Sequence, residues 1–204
     1  ASDYLPKSQM TVSTLSEALD GAFVAARREQ AKQENNRLLQ QQALKDSLTG
    51  VFNRRAFDEA VRRYDEEKTF SPLALMYIDL DGFKQVNDVH GHAAGDRVLQ
   101  VIATRLSDAV RGSDVVYRLG GDEFVVMLSP PPPAENLDKL VKRIVEALYE
   151  AVVDGQGREI FSSGGSVGVV TRSEQGETLQ AMLEKSDRAM YRAKKLGGGS
   201  LFAE

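Results

Sequence analysis

Residues Leu73 to Ile78 form an unbroken apolar run, introduced by Pro72 and ended abruptly by Asp79 and Asp81. An apolar stretch of this length without polar alternation is the pattern of a β-strand buried on both faces, which needs a covering layer on each side. The flanking segments supply those layers. Asn53 can cap a helix that carries Phe57, Ala60, Val61 and Tyr64 on one face. A second helix is expected from Asp96 to about Val110, with Val98, Leu99, Ile102 and Leu106 inward, and a third through Leu137, Leu140, Val141, Ile144, Val145 and Leu148. Leu179, Met182, Leu183, Ala189 and Met190 define the last. Between them, Asp114 to Leu119 and Phe124 to Leu128 read as a hairpin turning at Gly120-Gly121-Asp122-Glu123, and Phe161 to Val170 holds further strand material. Pro130 to Pro133 read as a stiff spacer. The order α, β, α, β-hairpin, α, β, α predicts an α/β sandwich around a mixed sheet, with the hairpin central.

Such a domain does not need the whole chain. At 204 residues the sequence holds one compact domain and an extension, and we place the boundary between residues 1–45 and 46–204. From Val12 to Lys45 there is no proline and only Gly21, and Leu15, Leu19, Ala22 and Ala26 follow a helical seam. Glu29, Gln33, Asn36 and Gln40 continue that register in polar residues, while Leu38, Leu39 and Leu44 follow another. So narrow a stripe predicts a parallel two-stranded coiled coil. A net charge of −4 gives no general attraction to nucleic acid. With no cysteine, thiol nucleophiles and zinc-thiolate sites are excluded and a reducing compartment suits the chain, so a cytoplasmic location is expected. No apolar run reaches the roughly 18 residues of a membrane span. The chain opens on Ala1 rather than Met, and an upstream sensor module, membrane-attached or not, is expected in the full-length protein.

The acids carry the chemistry. Asp79 and Asp81, two apart at a strand end, point to one side, and Asp122 and Glu123 sit on a tight turn. If the apolar strand lies beside the hairpin, these oxygens converge, and oxygen-only ligands select hard cations such as magnesium or manganese. Two such ions roughly 4 Å apart can hold a triphosphate, activate a hydroxyl and stabilise the leaving group. The pattern therefore points to phosphoryl or nucleotidyl transfer.

The pentapeptide Gly120-Gly121-Asp122-Glu123-Phe124, preceded by Arg118, resembles the signature of the GGDEF family of diguanylate cyclases, and would arise by chance in roughly one chain in several thousand. The family's other landmarks follow in order: Asp46-Ser47-Leu48-Thr49-Gly50 with Asn53-Arg54-Arg55, Asp79-Leu80-Asp81-Gly82-Phe83-Lys84 with Asn87-Asp88, Gly91-His92 with Gly95-Asp96, Ser166-Val167-Gly168, and Asp187-Arg188-Ala189-Met190-Tyr191 with Ala193-Lys194. The resemblance spans about Asp46 to Gly197. It implies a palm-like mixed sheet flanked by helices, of the nucleotidyl cyclase type. It also implies condensation of two GTP into cyclic di-GMP, with loss of two pyrophosphates, across a homodimer in which each subunit presents one GTP. On this resemblance Asp79, the carbonyl of Leu80 and Asp122 bind two Mg2+ (or Mn2+) per active site, with Glu123 near the second ion. Asp122 or Glu123 takes the 3′-hydroxyl proton. Asn87 and Asp96 read guanine, Phe83, Lys84 and the amides around Gly82 cradle phosphate, and Lys194 reaches the terminal phosphates. His90 and His92 are expected to shape the pocket rather than bind metal.

Two further features stand out. Arg111-Gly112-Ser113-Asp114 ends five residues before Gly120, where the family resemblance implies an inhibitory site in which Arg111 and Asp114 clamp cyclic di-GMP. After Gly197 the family usually has a basic residue and then Asn, whereas this chain has Gly198, Gly199 and Ser200. A phosphate contact is then missing, with Lys195 or Arg192 as the candidates to replace it.

Overall fold

The computed structural model describes residues 22–23, 25–32, 43–66, 72–172 and 177–203. The chain divides into two compact units, Ala1–Ala43 and Leu44–Glu204. In the first, residues 22–23 and 25–32 are helical and exposed, and the Arg27 guanidinium lies 4.8 Å from the centre of the Phe23 ring. Leu15 and Leu19 of the expected seam, and Gln33, Asn36, Leu38, Leu39 and Gln40 beyond it, lie outside the described residues.

The second unit is built on the apolar run. It forms strand β2 (Ala74–Leu80), which lies between β4 (Glu123–Leu128) and β7 (Gly165–Thr171), antiparallel to both. The hairpin partner β3 (Val115–Gly120) follows β4, then β1 (Phe52–Asn53) at one edge, while β8 (Gly199–Phe202) closes the other, so the order is β1-β3-β4-β2-β7-β8. The β1/β3 and β7/β8 pairs are parallel, which makes the sheet mixed as expected. A separate pair, β5 (Val152–Val153) and β6 (Glu159–Phe161), stands apart.

Alternation along β2 sorts its side chains between two cores. Ala74, Met76, Ile78 and Leu80 join Phe124, Val126 and Leu128 under helices α2 (Phe83–His90), α3 (His92–Ala109) and α4 (Ala134–Tyr149). Leu75 and Tyr77 join Val125 and Met127 under α1 (Arg54–Glu66) and α5 (Leu179–Lys195). Each large apolar side chain fully buried here contributes about 1.5–3 kcal/mol, so β2 is firmly fixed and whatever it carries at its C-terminal end is held in place. On the second face α5 approaches so closely that a Cβ at Gly168 would collide with the backbone of Ser186 and Met190.

The expected helices and hairpin are present, and Asn53 caps α1, its Oδ1 accepting from the Ala56 N–H at 3.0 Å. Several elements differ from the expectation. Helix α2 occupies the stretch expected to cradle phosphate and, at Asn87, to read guanine, and two turns bracketed by Gly82 and Gly91 give too short an apolar period to reveal it; the short strands β1, β5 and β6 likewise have no counterpart in the expectation. Helix α3 begins at His92, a turn before Asp96. The glycine-rich tail forms β8, where pairing with β7 overrides weak strand propensity.

Candidate active site

Asp79 is the next-to-last residue of β2, directly opposite Glu123 on one side and Ser166 on the other. Asp81 follows in the turn, where its N–H donates to the Gly164 carbonyl at 3.1 Å and its carboxylate accepts from Ser166 Oγ at 3.1 Å. The last turn of α5 brings Lys194 to both acids: its Nζ donates to Asp79 Oδ1 and lies 3.9 Å from Asp81 Oδ1. Burial pushes the Asp81 carboxyl above the usual range; the Ser166 hydroxyl and Lys194 pull it down, and Asp79 pushes it up. Lys194 is raised, because hydrogen bonding and attraction to the acids outweigh burial, which alone would lower it.

Asp122 occupies the turn of the β3–β4 hairpin, which Gly121 makes possible at φ 51°. Burial, and then the negative charge of Asp79, raise its carboxyl above the ordinary value. Glu123 is held differently, since its Oε1 accepts from the Tyr77 hydroxyl at 3.0 Å. Asp79 is thus brought into electrostatic range of both Asp81 and Asp122, while Glu123, which also acts on Asp122, is bonded to Tyr77. Among the described residues no three carboxylate or imidazole groups stand ready as a metal-ligand cluster.

The turn itself is tied down. Arg118 donates from Nε and Nη2 to the Gly121 carbonyl at 3.0 and 2.8 Å, and from Nη1 to Asp46 Oδ1 at 3.0 Å. Asp46 also accepts from the N–H and hydroxyl of Thr49 at 2.9 and 2.6 Å. Burial would raise its carboxyl, but these hydrogen bonds together hold it below the usual range.

Directly after Asp81 the chain enters α2. Gly82 precedes the helix at φ 73°, Phe83 is buried, and Lys84 is exposed. Asn87 packs against Gly95 on α3 so closely that any Cβ there would strike its Oδ1, which sets Asn87 beside the residue preceding Asp96.

A family model, diguanylate cyclase GGDEF domain, matches residues 43–200. The chain belongs to the GGDEF family. The diguanylate cyclase TpbB of Pseudomonas aeruginosa is 38% identical over 170 residues, which cover 82% of this chain and 39% of that protein. The GGDEF domain described here thus spans about two fifths of such a relative. Among solved structures, the diguanylate cyclase SiaD of Pseudomonas aeruginosa, crystallised with its activator SiaC, matches with a TM-score of 0.75 and 31% identity over 94% of this chain and 74% of that one. The coiled coil and GGDEF domain of DgcB from Caulobacter crescentus, in complex with c-di-GMP, matches with a TM-score of 0.80 over 93% of this chain and all of that one; at 24% identity the likeness is one of fold.

Within the GGDEF domain, the Arg111–Asp114 loop is closed by reciprocal bonds, the Asp114 carboxylate accepting from the Arg111 N–H and the Asp114 N–H donating to the Arg111 carbonyl, both at 3.0 Å. It separates two recesses of about 440 and 370 Å³; Lys45 and Thr104 line the first, Asn136, Lys139 and Arg143 the second. At the departure from the family pattern, a Cβ on Gly198 would lie 2.6 Å from the Tyr149 hydroxyl and 3.1 Å from Asp81 Oδ2. Lys195, which with Arg192 is a candidate to compensate, has its Nζ 4.5 Å from the centre of the Tyr191 ring. Sequence reasoning passed over Tyr77, Tyr149 and the bracing role of Arg118. Only Tyr77 left a signal, since strand alternation puts it on the same face as Asp79.

Proposed function

We propose that this domain is a diguanylate cyclase, joining two GTP into cyclic di-GMP with release of two pyrophosphates. The observation that carries the reading is the gathering of Asp79, Asp81 and Asp122 at the end of a fixed strand, where burial and then Asp79 raise Asp122, and burial with a smaller push from Asp79 raises Asp81 against the Ser166 hydroxyl and Lys194. Crowded oxygen donors with excess negative charge fit a hard divalent cation, magnesium or manganese. Asp79, Asp122 and the Leu80 carbonyl would hold two ions, with Glu123 near the second. When bound, the ions supply charge neutralisation on the phosphates and acidify the attacking hydroxyl.

The chain's own groups do the rest. The amides at Gly82, Phe83 and Lys84 open α2, where the helix dipole favours phosphate, and Lys194 meets the terminal phosphates. Asn87 and Asp96 read guanine, the carboxylate accepting from ring and amino hydrogens that adenine does not offer in that pattern. A carboxylate of the turn accepts the 3′-hydroxyl proton. Because each hydroxyl attacks the other nucleotide's α-phosphate, two domains meet face to face about a twofold axis, and a paired N-terminal helix raises their effective concentration. Arg111 and Asp114 bind the product and inhibit. The cytoplasm supplies GTP, and an upstream sensor in the full-length protein is part of this reading.

The test is incubation of the purified chain with GTP and magnesium, with the product resolved by chromatography. Cyclic di-GMP is expected, and Asp79→Asn is expected to abolish it while leaving the melting curve in place, since Asn keeps the shape and removes the charge. Unaltered turnover by folded Asp79→Asn, or a different product, would overturn the reading.

A further inference from the structure

Tyr77 lies in the middle of β2, buried to 7% exposure, in a run whose other members are hydrocarbon or thioether. A phenol there must find a partner for its hydroxyl, or its burial costs about 1–3 kcal/mol. Register decides which partner. Tyr77 and Asp79 share a face of β2, and Glu123 stands directly across from Asp79 on β4. Glu123 is therefore the diagonal neighbour of Tyr77, at the range a long aromatic side chain spans. The hydroxyl meets Glu123 Oε1 at 3.0 Å. The tyrosine end is held in place. Tyr77 is flanked in the sheet by Val125 and by Gly168, the point at which α5 presses onto the strands. The other charges that act on the phenol are Asp187 from α5 and Arg54 from α1.

We propose that Tyr77 is a positioning residue of the catalytic cluster: its phenol commits one oxygen of Glu123 and fixes the carboxylate plane, leaving the other oxygen to meet a divalent ion beside Asp79. The contrast with Asp122 supports this. Asp122 sits on a glycine turn and owes its place to backbone, whereas Glu123 begins a strand and has a side chain long enough to take several rotamers. A carboxylate with that freedom loses entropy on binding an ion, and a buried donor removes that cost beforehand. The inference rests on the reading of Glu123 as a group near the second ion, and the experiment separates the two.

Mn2+ binding is titrated by electron paramagnetic resonance on the full chain with a non-hydrolysable GTP analogue, for wild type, Tyr77→Phe, Glu123→Gln and the double variant. Phenylalanine keeps the ring and the packing, so melting temperatures are expected to change by only a few degrees. Tyr77→Phe is expected to weaken binding of the second ion about tenfold, the usual size for loss of a group that orients a ligand. The double variant is expected to match Glu123→Gln alone, because the phenol acts through that carboxylate. In turnover, Tyr77→Phe should raise the magnesium concentration for half-maximal rate and leave the KM for GTP at saturating magnesium unchanged. Normal Mn2+ binding by Glu123→Gln would overturn the placement of Glu123 near the ion, and this inference with it. Weakened binding by Glu123→Gln but not by Tyr77→Phe, or effects that simply add in the double variant, would overturn the role of Tyr77 alone.

Discussion

Arg118 spans from the catalytic turn to the start of the domain, and removing it gives a test with two separable readouts. Its three hydrogen bonds reach two acceptors, the Gly121 carbonyl and Asp46 Oδ1, and the Arg118 and Asp46 side chains are 13% and 22% exposed. A hydrogen bond involving a charged group contributes about 1.5–3 kcal/mol net, and sharing of one acceptor and partial exposure bring the set to about 2–4 kcal/mol. At roughly 2–4 °C per kcal/mol for a chain of this size, Arg118→Ala should melt about 5–15 °C below wild type. Turnover measured well below that transition should fall further than stability accounts for, because the carbonyl that fixes the peptide before Asp122 has lost its anchor. Arg118→Lys separates the effects: one ammonium can reach Asp46 or Gly121 but cannot fork to both, so it should restore part of the stability and little of the rate. The Asp46 carboxyl is held below its ordinary value in the fold, so its contribution is complete above about pH 4 and lost as pH falls through the depressed folded value. The difference between wild type and Arg118→Ala should therefore narrow in acid. Equal melting temperatures and equal rates at pH 7 would refute the bracing argument.

Asp122 tests the opposite sign. Its folded carboxyl is raised, first by burial and then by Asp79, so folding is progressively disfavoured as pH rises from about 4 through the raised value. Asp122→Asn should raise the melting temperature of the metal-free protein at pH 7.5 by up to about 2 °C, screening by solvent keeping the gain small, and abolish synthesis; a lower melting temperature would contradict this. Arg111→Ala should keep the initial rate and lose inhibition by added cyclic di-GMP, so progress curves that bend as in wild type would return Arg111 to a plain surface turn. Deletion of residues 1–42 should lower the rate per subunit most at low protein concentration, and a rate independent of concentration would reject pairing through the helix.

The sandwich, the hairpin and the acids could be read from the sequence because each rests on a local rule: an apolar run for β2, a glycine turn between two strand-like runs, and period-3.6 stripes for α3, α4 and α5. What could not be read depends on distant pairing. Leu201 and Phe202 alternate too briefly to announce β8, and only β7 makes that segment a strand. Tyr77 looked like core because its ring is core; its hydroxyl acquires a role only once β4 is set in register. Asp46 and Arg118 are 72 positions apart, and the helical stripe of α2 is only two turns long. Resemblance to the family suggests the reacting groups, while the contacts that hold them are visible only in the fold.

Tyr149 ties two glycines to one side chain. Its ring lies over Gly164, where a Cβ would come within 2.5 Å of it, and its hydroxyl fills the space a Cβ would need at Gly198, whose φ is 96°. One aromatic residue thus depends on two bare backbones. A lysine or arginine at 198 would meet both the Tyr149 hydroxyl and a left-handed backbone, so it requires the exposed tyrosine to turn away before its charge can reach a phosphate. Positions 149 and 198 are therefore expected to be coupled, Gly198→Arg costing less stability beside Tyr149→Ala than alone.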